Sequence, residues 1–271
     1  KAGVLACDDP LFGGLFGVFN DSLPDGWGRL LLDRKLTSMG INSRELTPLD
    51  RLCHVGHHGM GALSYEPEVN IGASTLHHDL DEIASEIFSF QANDDDQFVD
   101  DLLAMNGSSG GARPKILVSL VNNFFQATDN AEISQDNNWI IKFRSFLDPK
   151  DIGAIEYAYH LMAKEAGLDV PNARLFKSKK GPGYFGVQRF DQRGTKRIHM
   201  HTAGGLLHVD YRIPSLDYET LLKATLWLTK DAREGEKLFR HAVFNVHSHN
   251  RDDHANNFSF LMNEQGAWSL S

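Results

Sequence analysis

His249–Asn257 reads HNRDDHANN, and the fold turns on this stretch. It places Asp252 five positions before Asn257, with Arg251 immediately ahead of the aspartate. A tight loop of that length lets a carboxylate face an attacking hydroxyl while a neutral amide oxygen faces a metal ion. Phosphoryl transfer needs that division of labour, and the spacing is that of a protein-kinase catalytic loop. An Asp-x-x-x-x-Asn spacing alone arises often by chance. Asn and Asp crowded between and beside two histidines, directly after an apolar helix, are less common. Two other readings stay open. One is a polar helix-cap loop with incidental histidines. The other is a metal-dependent hydrolase in which His247, His249 and His254, with Asp252 and Asp253, hold zinc or a pair of metals. The His-x-His pair falls at a predicted helix end, however, where its rings would diverge.

Outward from the loop, the elements follow from periodicity and turn signals. Tyr218–Thr229 and Asp231–Val246 read as helices. Asn257–Met262 alternates as a strand, Asn263–Gly266 offers a hairpin turn, and Ala267–Ser271 starts the return strand. Further upstream, Ile152, Ile155, Tyr159, Met162 and Ala166 form a helical stripe, with Asp148 or Asp151 to cap its start and Gly167 its end. Tyr184–Phe190 reads as a strand, as do Trp139–Phe143 and the run ILVSLV after Lys115, with a polar loop between the last two. Between Asp79 and Asp101 there are nine acidic residues and no Lys or Arg. Ile83, Ile87 and Phe88 recur there at helical spacing, which predicts a solvated amphipathic helix and then an acidic loop, Asp94–Asp96. In the N-terminal part, Leu23-Pro24-Asp25-Gly26 is a turn leading into a short helix, Gly28–Leu36, and His54–Tyr65 is Gly-punctuated and ends in a strand candidate.

Two further features bear on chemistry. Asn106–Lys115 (NGSSGGARPK) is glycine-rich: Ser109, Gly110, Gly111 and Ala112 let backbone N–H groups approach a phosphate, and Lys115 can add charge. It is neither a Walker motif nor the usual kinase glycine loop, and a plain turn is the competing reading. Lys142 lies in WIIKF, flanked by Ile141 and Phe143, a costly place for a charge unless it serves something. Glu156 on the following helix could pair with it, whereas an edge-strand lysine facing solvent is the bland alternative. The order carries more than any one piece: glycine-rich turn, strand lysine, helix glutamate, catalytic loop. Phosphoryl transfer assembles a nucleotide site between two lobes in that order.

Composition narrows the classes. The 271 residues are 41% apolar and 23% charged, within the range of globular proteins and too apolar for a disordered chain. No window holds enough consecutive apolar residues for a membrane-spanning helix, and Leu11–Phe19 lacks the basic lead of a signal peptide. Two cysteines, Cys7 and Cys53, fit a reducing, cytoplasmic setting. The net charge of −9 argues against direct nucleic-acid binding and suits a basic protein partner or a metal-bound anion.

Laid end to end, these segments resemble the HipA-type serine/threonine kinases, toxins of bacterial toxin–antitoxin pairs. FNDSLPDGWGRLLL (Phe19–Leu32) is similar to the family's N-terminal LPD segment and HVGHHGMGALSYEPE (His54–Glu68) to its VG…GA segment. SSGGARPK (Ser108–Lys115) resembles its glycine-rich loop, and Ile155–Phe176 its helix followed by GL-x-VP. VQRFDQ (Val187–Gln192) is similar to the ERFD hinge, with Gln188 for the usual Glu, and NRDDHANN to the N-x-DDH-x-KN loop, with Asn256 where Lys is common.

The resemblance implies an α+β, two-lobed, protein-kinase-like fold whose C-terminal helical lobe is incomplete. The expected division is a partial N-terminal subdomain at 1–78, an N-lobe at 79–190 and the start of a C-lobe at 191–271. ATP and magnesium are the implied cofactors. Asp252 would be the catalytic base and Asn257 a magnesium ligand. Ser109, Gly110, Gly111, Ala112, Lys115, Lys142 and His254 would line the nucleotide, Gln188 and Phe190 would meet the adenine, and Glu156 would pair with Lys142. Ser108, with Ser109 as its neighbour, would be the autophosphorylated serine. About two negative charges placed there must repel the nucleotide phosphates. The implied partners are a protein substrate, an aminoacyl-tRNA synthetase by family analogy, and a DNA-binding antitoxin. The family's second metal-binding Asp lies in a P-x-Y-D-type motif expected beyond Ser271, and strands are expected before Lys1. A nucleotide-binding pseudokinase is the alternative that Gln188 and Asn256 leave room for.

Overall fold

The computed structural model describes residues 7, 9–69, 79–93, 98–106, 110–121, 124–127, 138–194 and 196–271. The acidic loop Asp94–Asp96 and the serines Ser108 and Ser109 lie outside them. The chain divides into two compact units, one formed by 24–197 and the other by 1–23 with 198–271.

The larger unit is built on a five-stranded antiparallel sheet of order β2-β1-β3-β5-β4. Its strands are β1 (Lys115–Val121), β2 (Phe124–Ala127), β3 (Asn138–Lys142), β4 (Ala173–Phe176) and β5 (Tyr184–Gln188). The register pairs Lys115 with Lys142, Ile116 with Ile141 and Val118 with Trp139. Directly opposed residues share a face, so the two lysines lie on one side and Ile116, Val118, Trp139 and Ile141 on the other. That apolar side forms one core with Trp27 and Leu31 of α2 (Gly26–Ser38), Ile83, Ile87 and Phe90 of α4 (Leu80–Asn93), and Val99, Leu102 and Met105 of α5 (Val99–Asn106). Each of these fully buried side chains is worth about 1.5–3 kcal/mol relative to exposure. α3 (Pro48–Val55) opens with a Thr47–Asp50 capping box. α6 (Ile152–Glu165) lies along β4 and β5. A short ribbon, β6 (Gln192–Arg193) with β7 (Lys196–Arg197), ends the unit.

In the smaller unit a three-stranded sheet of order β10-β9-β8 joins β8 (His199–Thr202), β9 (Ser259–Met262) and β10 (Trp268–Leu270). The short helices α1 (Gly17–Asn20) and α7 (Ala203–Leu207) touch where Gly17 meets Gly205, since a Cβ on Gly17 would lie 1.9 Å from the Gly205 carbonyl oxygen. Asp21 fixes the start of α7: its carboxylate accepts from the Thr202 amide (2.7 Å), the Thr202 hydroxyl (2.7 Å) and His201 Nδ1 (2.5 Å). α8 (Tyr218–Thr229) and α9 (Ala232–His247) pack on one another, and Leu221, Leu238, Ala203, Phe258, Phe260 and Leu270 form the core.

The structure departs from the sequence reading in several places. The loop expected before Asn138 contains β2, whose backbone pairing to β1 outweighs its polar surroundings. The strand expected to end at Tyr65 is absent. Arg197 instead donates to the carbonyls of Gly61 (2.6 Å), His57 (2.7 Å), Gly59 (2.8 Å) and Leu63 (3.0 Å), so the loop's backbone groups are satisfied by a guanidinium rather than a neighbouring strand. α3 and α5 are also additional. The apolar stripe of α6 is real as a pattern, yet Ile155, Tyr159 and Met162 stay substantially exposed. Asp151 occupies the N-cap of α6 without a side-chain cap bond, while Asp148 accepts from the Ser145 amide at 2.9 Å.

Candidate active site

The predicted site residues fall into two groups, one in each unit. In the smaller unit α9 ends at His247, His249 takes φ +54°, and the chain runs through Asp252 into a 3-10 turn, Ala255–Asn257. The loop is held largely by its own amides. Asn250 Nδ2 donates to Asn245 Oδ1 at 3.2 Å, and Asn250 Oδ1 accepts from the Asp252 amide at 3.1 Å. Asn257 Nδ2 donates to the Asp252 carbonyl. The backbone of Asp252 is therefore secured on both sides while its carboxylate is 86% exposed. His254 Nε2 lies 3.5 Å from Asp252 Oδ1, and its ring meets Tyr211.

Asp253 points the other way. Its Oδ2 accepts from the Tyr218 hydroxyl, itself held by Asn245 Nδ2 at 3.1 Å, and burial with this carboxylate pushes the Tyr218 hydroxyl up to about 12. Asp253 Oδ1 is buried and has no hydrogen-bond partner among the described residues. Sequence reasoning did not foresee Tyr218 and Asn245 as supports of the loop. The one available signal was the polar Asn245 between the apolar Phe244 and Val246.

Asn257 Nδ2 is tied to a loop carbonyl, so its amide oxygen is the end left to meet a cation, and a hard oxygen donor is what Mg2+ takes. The zinc or two-metal cluster that the sequence left open is not assembled: among the described residues no group of three or more His, Cys, Asp or Glu is placed to hold a metal. His247 closes a helix and His249 sits in the left-handed region, so the pair does not converge.

In the larger unit the two opposed lysines of β1 and β3 anchor the second group. Lys142 Nζ lies 3.0 Å from Glu156 Oε2 and 5.6 Å from the centre of the Phe185 ring. Arg113 shares Glu156 at 3.6 Å and reaches Asp148 at 3.1 Å. Lys115 is buried, and its ammonium donates to the Gly110 carbonyl. Burial pushes Lys115 down to about 8, with the neighbouring Lys142 charge acting in the same direction and Asp25 and Glu156 opposing it. Gly110, Gly111 and Ala112 form the exposed bend just before β1.

The hinge segment divides its labour. Gln188 Oε1 accepts from Asn172 Nδ2 at 2.8 Å, and Phe190 is half-buried. Gln188 also lines a small polar recess with Asn138, Arg189, Gln192 and Gly194. Arg189 and Asp191 belong to the ERFD-like stretch, but nothing in the sequence signals their pairing. They form a buried two-pronged ion pair (3.0 and 2.8 Å), and Asp191 Oδ2 also accepts from the Gly61 amide at 2.8 Å. The guanidinium-carboxylate pair thus joins the hinge to the loop that Arg197 holds.

A measurable pH dependence follows from Lys115. Its amine is charged below about 8 and neutral above it. A neutral amine cannot attract a polyphosphate, and a bound anion would hold the proton on, so affinity for a polyphosphate held at this lysine would fall progressively as pH rises from 7 past 8. Titrations of ATP across this range should show that loss in the unaltered protein and a flat, weaker profile in Lys115→Met. A decline that persists in Lys115→Met would assign the dependence to another group.

A five-stranded sheet carrying a paired lysine and glutamate, together with a helical unit bearing an Asp-x-x-x-x-Asn loop, defines a protein of kinase-like class. Comparison with known proteins gives the family. The family model for the HipA N-terminal domain matches residues 8–66, and that for the HipA-like C-terminal domain matches residues 107–271. The chain belongs to the HipA family. The fold is similar to that of HipA in a Shewanella oneidensis MR-1 toxin–antitoxin complex of HipA, HipB and operator DNA, with a TM-score of 0.66 and 17% identity over 97% of this chain. The chain spans 65% of the length of that HipA. No match was found among curated proteins. Among the described residues no helix is long and apolar enough to cross a membrane.

Proposed function

We propose that this chain carries the catalytic machinery of a serine/threonine protein kinase that transfers the γ-phosphoryl group of ATP to a protein hydroxyl and acts as a growth-arrest toxin. The observation that carries the reading is the Asp252–Asn257 loop, whose backbone is fixed by its own amides while the carboxylate and one amide oxygen stay available. Asp252 would take the hydroxyl proton, and Asn257 would hold the magnesium ion. That ion would supply charge neutralisation for the phosphates. Lys142, oriented by Glu156, would hold the nucleotide tail with Lys115 and the Gly110–Ala112 bend. Gln188 and Phe190 would meet the base, and His254 would line the nucleotide beside Asp252. Ser108 or Ser109 would accept the phosphate that switches the enzyme off. In this reading residues 79–190 carry the nucleotide-binding lobe and 191–271 begin the catalytic one.

The partner proposal is an antitoxin, supported by the assembly of the similar HipA with HipB and operator DNA. An aminoacyl-tRNA synthetase as substrate rests on family analogy alone. A pseudokinase is the second reading, and Asn256 favours it. Where the family commonly has Lys, Asn256 is packed so closely on α7 that a Cβ at Gly204 would lie 2.1 Å from its Oδ1, so it is turned onto protein rather than toward a ligand.

Titration of ATP and magnesium into the intact protein tests the nucleotide half. Lys142→Ala removes a charge-assisted contact and should weaken binding roughly tenfold. Unchanged affinity would mean that this lysine only faces solvent and Glu156.

A further inference from the structure

The Leu23–Gly26 turn has no part in the chemistry described so far, yet its local geometry is unusual. Asp25 is the N-cap residue of α2, but its side chain makes no cap bond to that helix. Its carboxylate instead accepts from the backbone amide of Gly111 in the glycine-rich bend, far away in sequence. The next turn of contact runs in the opposite direction: the Trp27 amide at the start of α2 donates to the Gly111 carbonyl at 3.1 Å. Gly111 is thus gripped at both its N–H and its C=O, and Lys115 secures the carbonyl of the preceding Gly110. Two glycines make the approach possible. A Cβ on Gly26 (φ +42°) would fall 2.6 Å from Ala112 Cα and from the Gly111 carbonyl oxygen, and Gly111 itself takes φ +98°.

We propose that Asp25 is a positioning residue that clamps the glycine-rich bend at Gly111, setting the backbone that receives the nucleotide's phosphates. An N-cap aspartate ordinarily satisfies its own helix. Here that capacity is diverted to another segment, at a bend whose many conformations would otherwise have to be frozen when ligand binds. The proposal rests on the kinase reading for the identity of the ligand, whereas the clamp itself does not.

Nuclear magnetic resonance on glycine-labelled intact protein, paired with ATP kinetics, tests both parts. In the unaltered protein the Gly111 amide proton should be shifted downfield and slowed in exchange by the carboxylate. Asp25→Ala should abolish both signatures and raise KM for ATP about tenfold, with a much smaller change in kcat. Asp25→Asn, whose amide oxygen still accepts, should restore most of the affinity and the exchange protection. A KM unchanged in Asp25→Ala, or lost equally in Asp25→Asn while Gly111 stays protected, would overturn the proposal. General destabilisation would lower the active fraction and so kcat, leaving KM in place. Failure of the unaltered protein to bind any nucleotide would instead overturn the kinase reading, while loss of Gly111 protection in Asp25→Ala would still support the clamp.

Discussion

Replacing Asp252 with alanine should reduce phosphoryl transfer by about a thousandfold, within the range a positioned general base contributes. The loop explains why the loss should be confined to chemistry. The Asp252 amide is held by Asn250 and its carbonyl by Asn257, both independent of the carboxylate, so removing the side chain leaves the backbone bonds intact. The carboxylate is largely exposed, and among the described residues its one ion-pair partner is His254, so its deletion strands no buried charge there. Stability and ATP affinity should therefore change little while kcat collapses. Transfer of label from γ-labelled ATP by the intact protein, with a melting curve alongside, is the measurement. Activity within threefold of the unaltered protein would remove Asp252 from the mechanism.

The largest effect on stability should come from Asp191→Ala. Its carboxylate is wholly buried, and the Arg189 side chain is 3% exposed, so the substitution strands a guanidinium in the interior and orphans the Gly61 amide. Breaking a buried pair from one side costs about 3–5 kcal/mol. For a protein of this size that corresponds to a fall in melting temperature of roughly 10 °C. Removing both partners in Arg189→Met with Asp191→Ala should recover part of the loss, because no buried charge is then left alone. A fall of under 2 °C in Asp191→Ala would show that the pair adds almost nothing. Since Gly61 belongs to the loop held by Arg197, the same substitution should also expose 57–63 to proteolysis.

These two sites differ in how far the sequence announces them. Asp252 and Asn257 stand in a short polar run after an apolar helix, and local composition is enough to single them out. Lys142 is legible as a charge in an apolar strand, and Glu156 as the acid on the next helix. The α8 and α9 helices and the final hairpin follow from periodicity and an Asn-to-Gly turn. What the sequence hides is non-local. Nothing local to residues 10–23 shows that they fold with 198–271, an association set by the Gly17–Gly205 contact and the Asp21 carboxylate. β2 is written in its pairing with β1 rather than in its own pattern. Asp25 reads as part of a turn, and only the fold reveals that its carboxylate serves another segment. Arg189 and Asp191 stand inside the ERFD-like stretch, yet their burial and mutual pairing are seen only once the segment is folded.

The proposed kinase activity requires that the Asp252–Asn257 loop and Lys142 with the Gly111 bend serve a single nucleotide. A crystal structure of the protein with magnesium and a non-hydrolysable ATP analogue tests it most directly. The expected result is one analogue whose phosphates contact Lys142 and the Gly111 bend and whose metal ion is bound by Asn257. A nucleotide engaging only one of these groups, or a metal ion held away from Asn257, would contradict it.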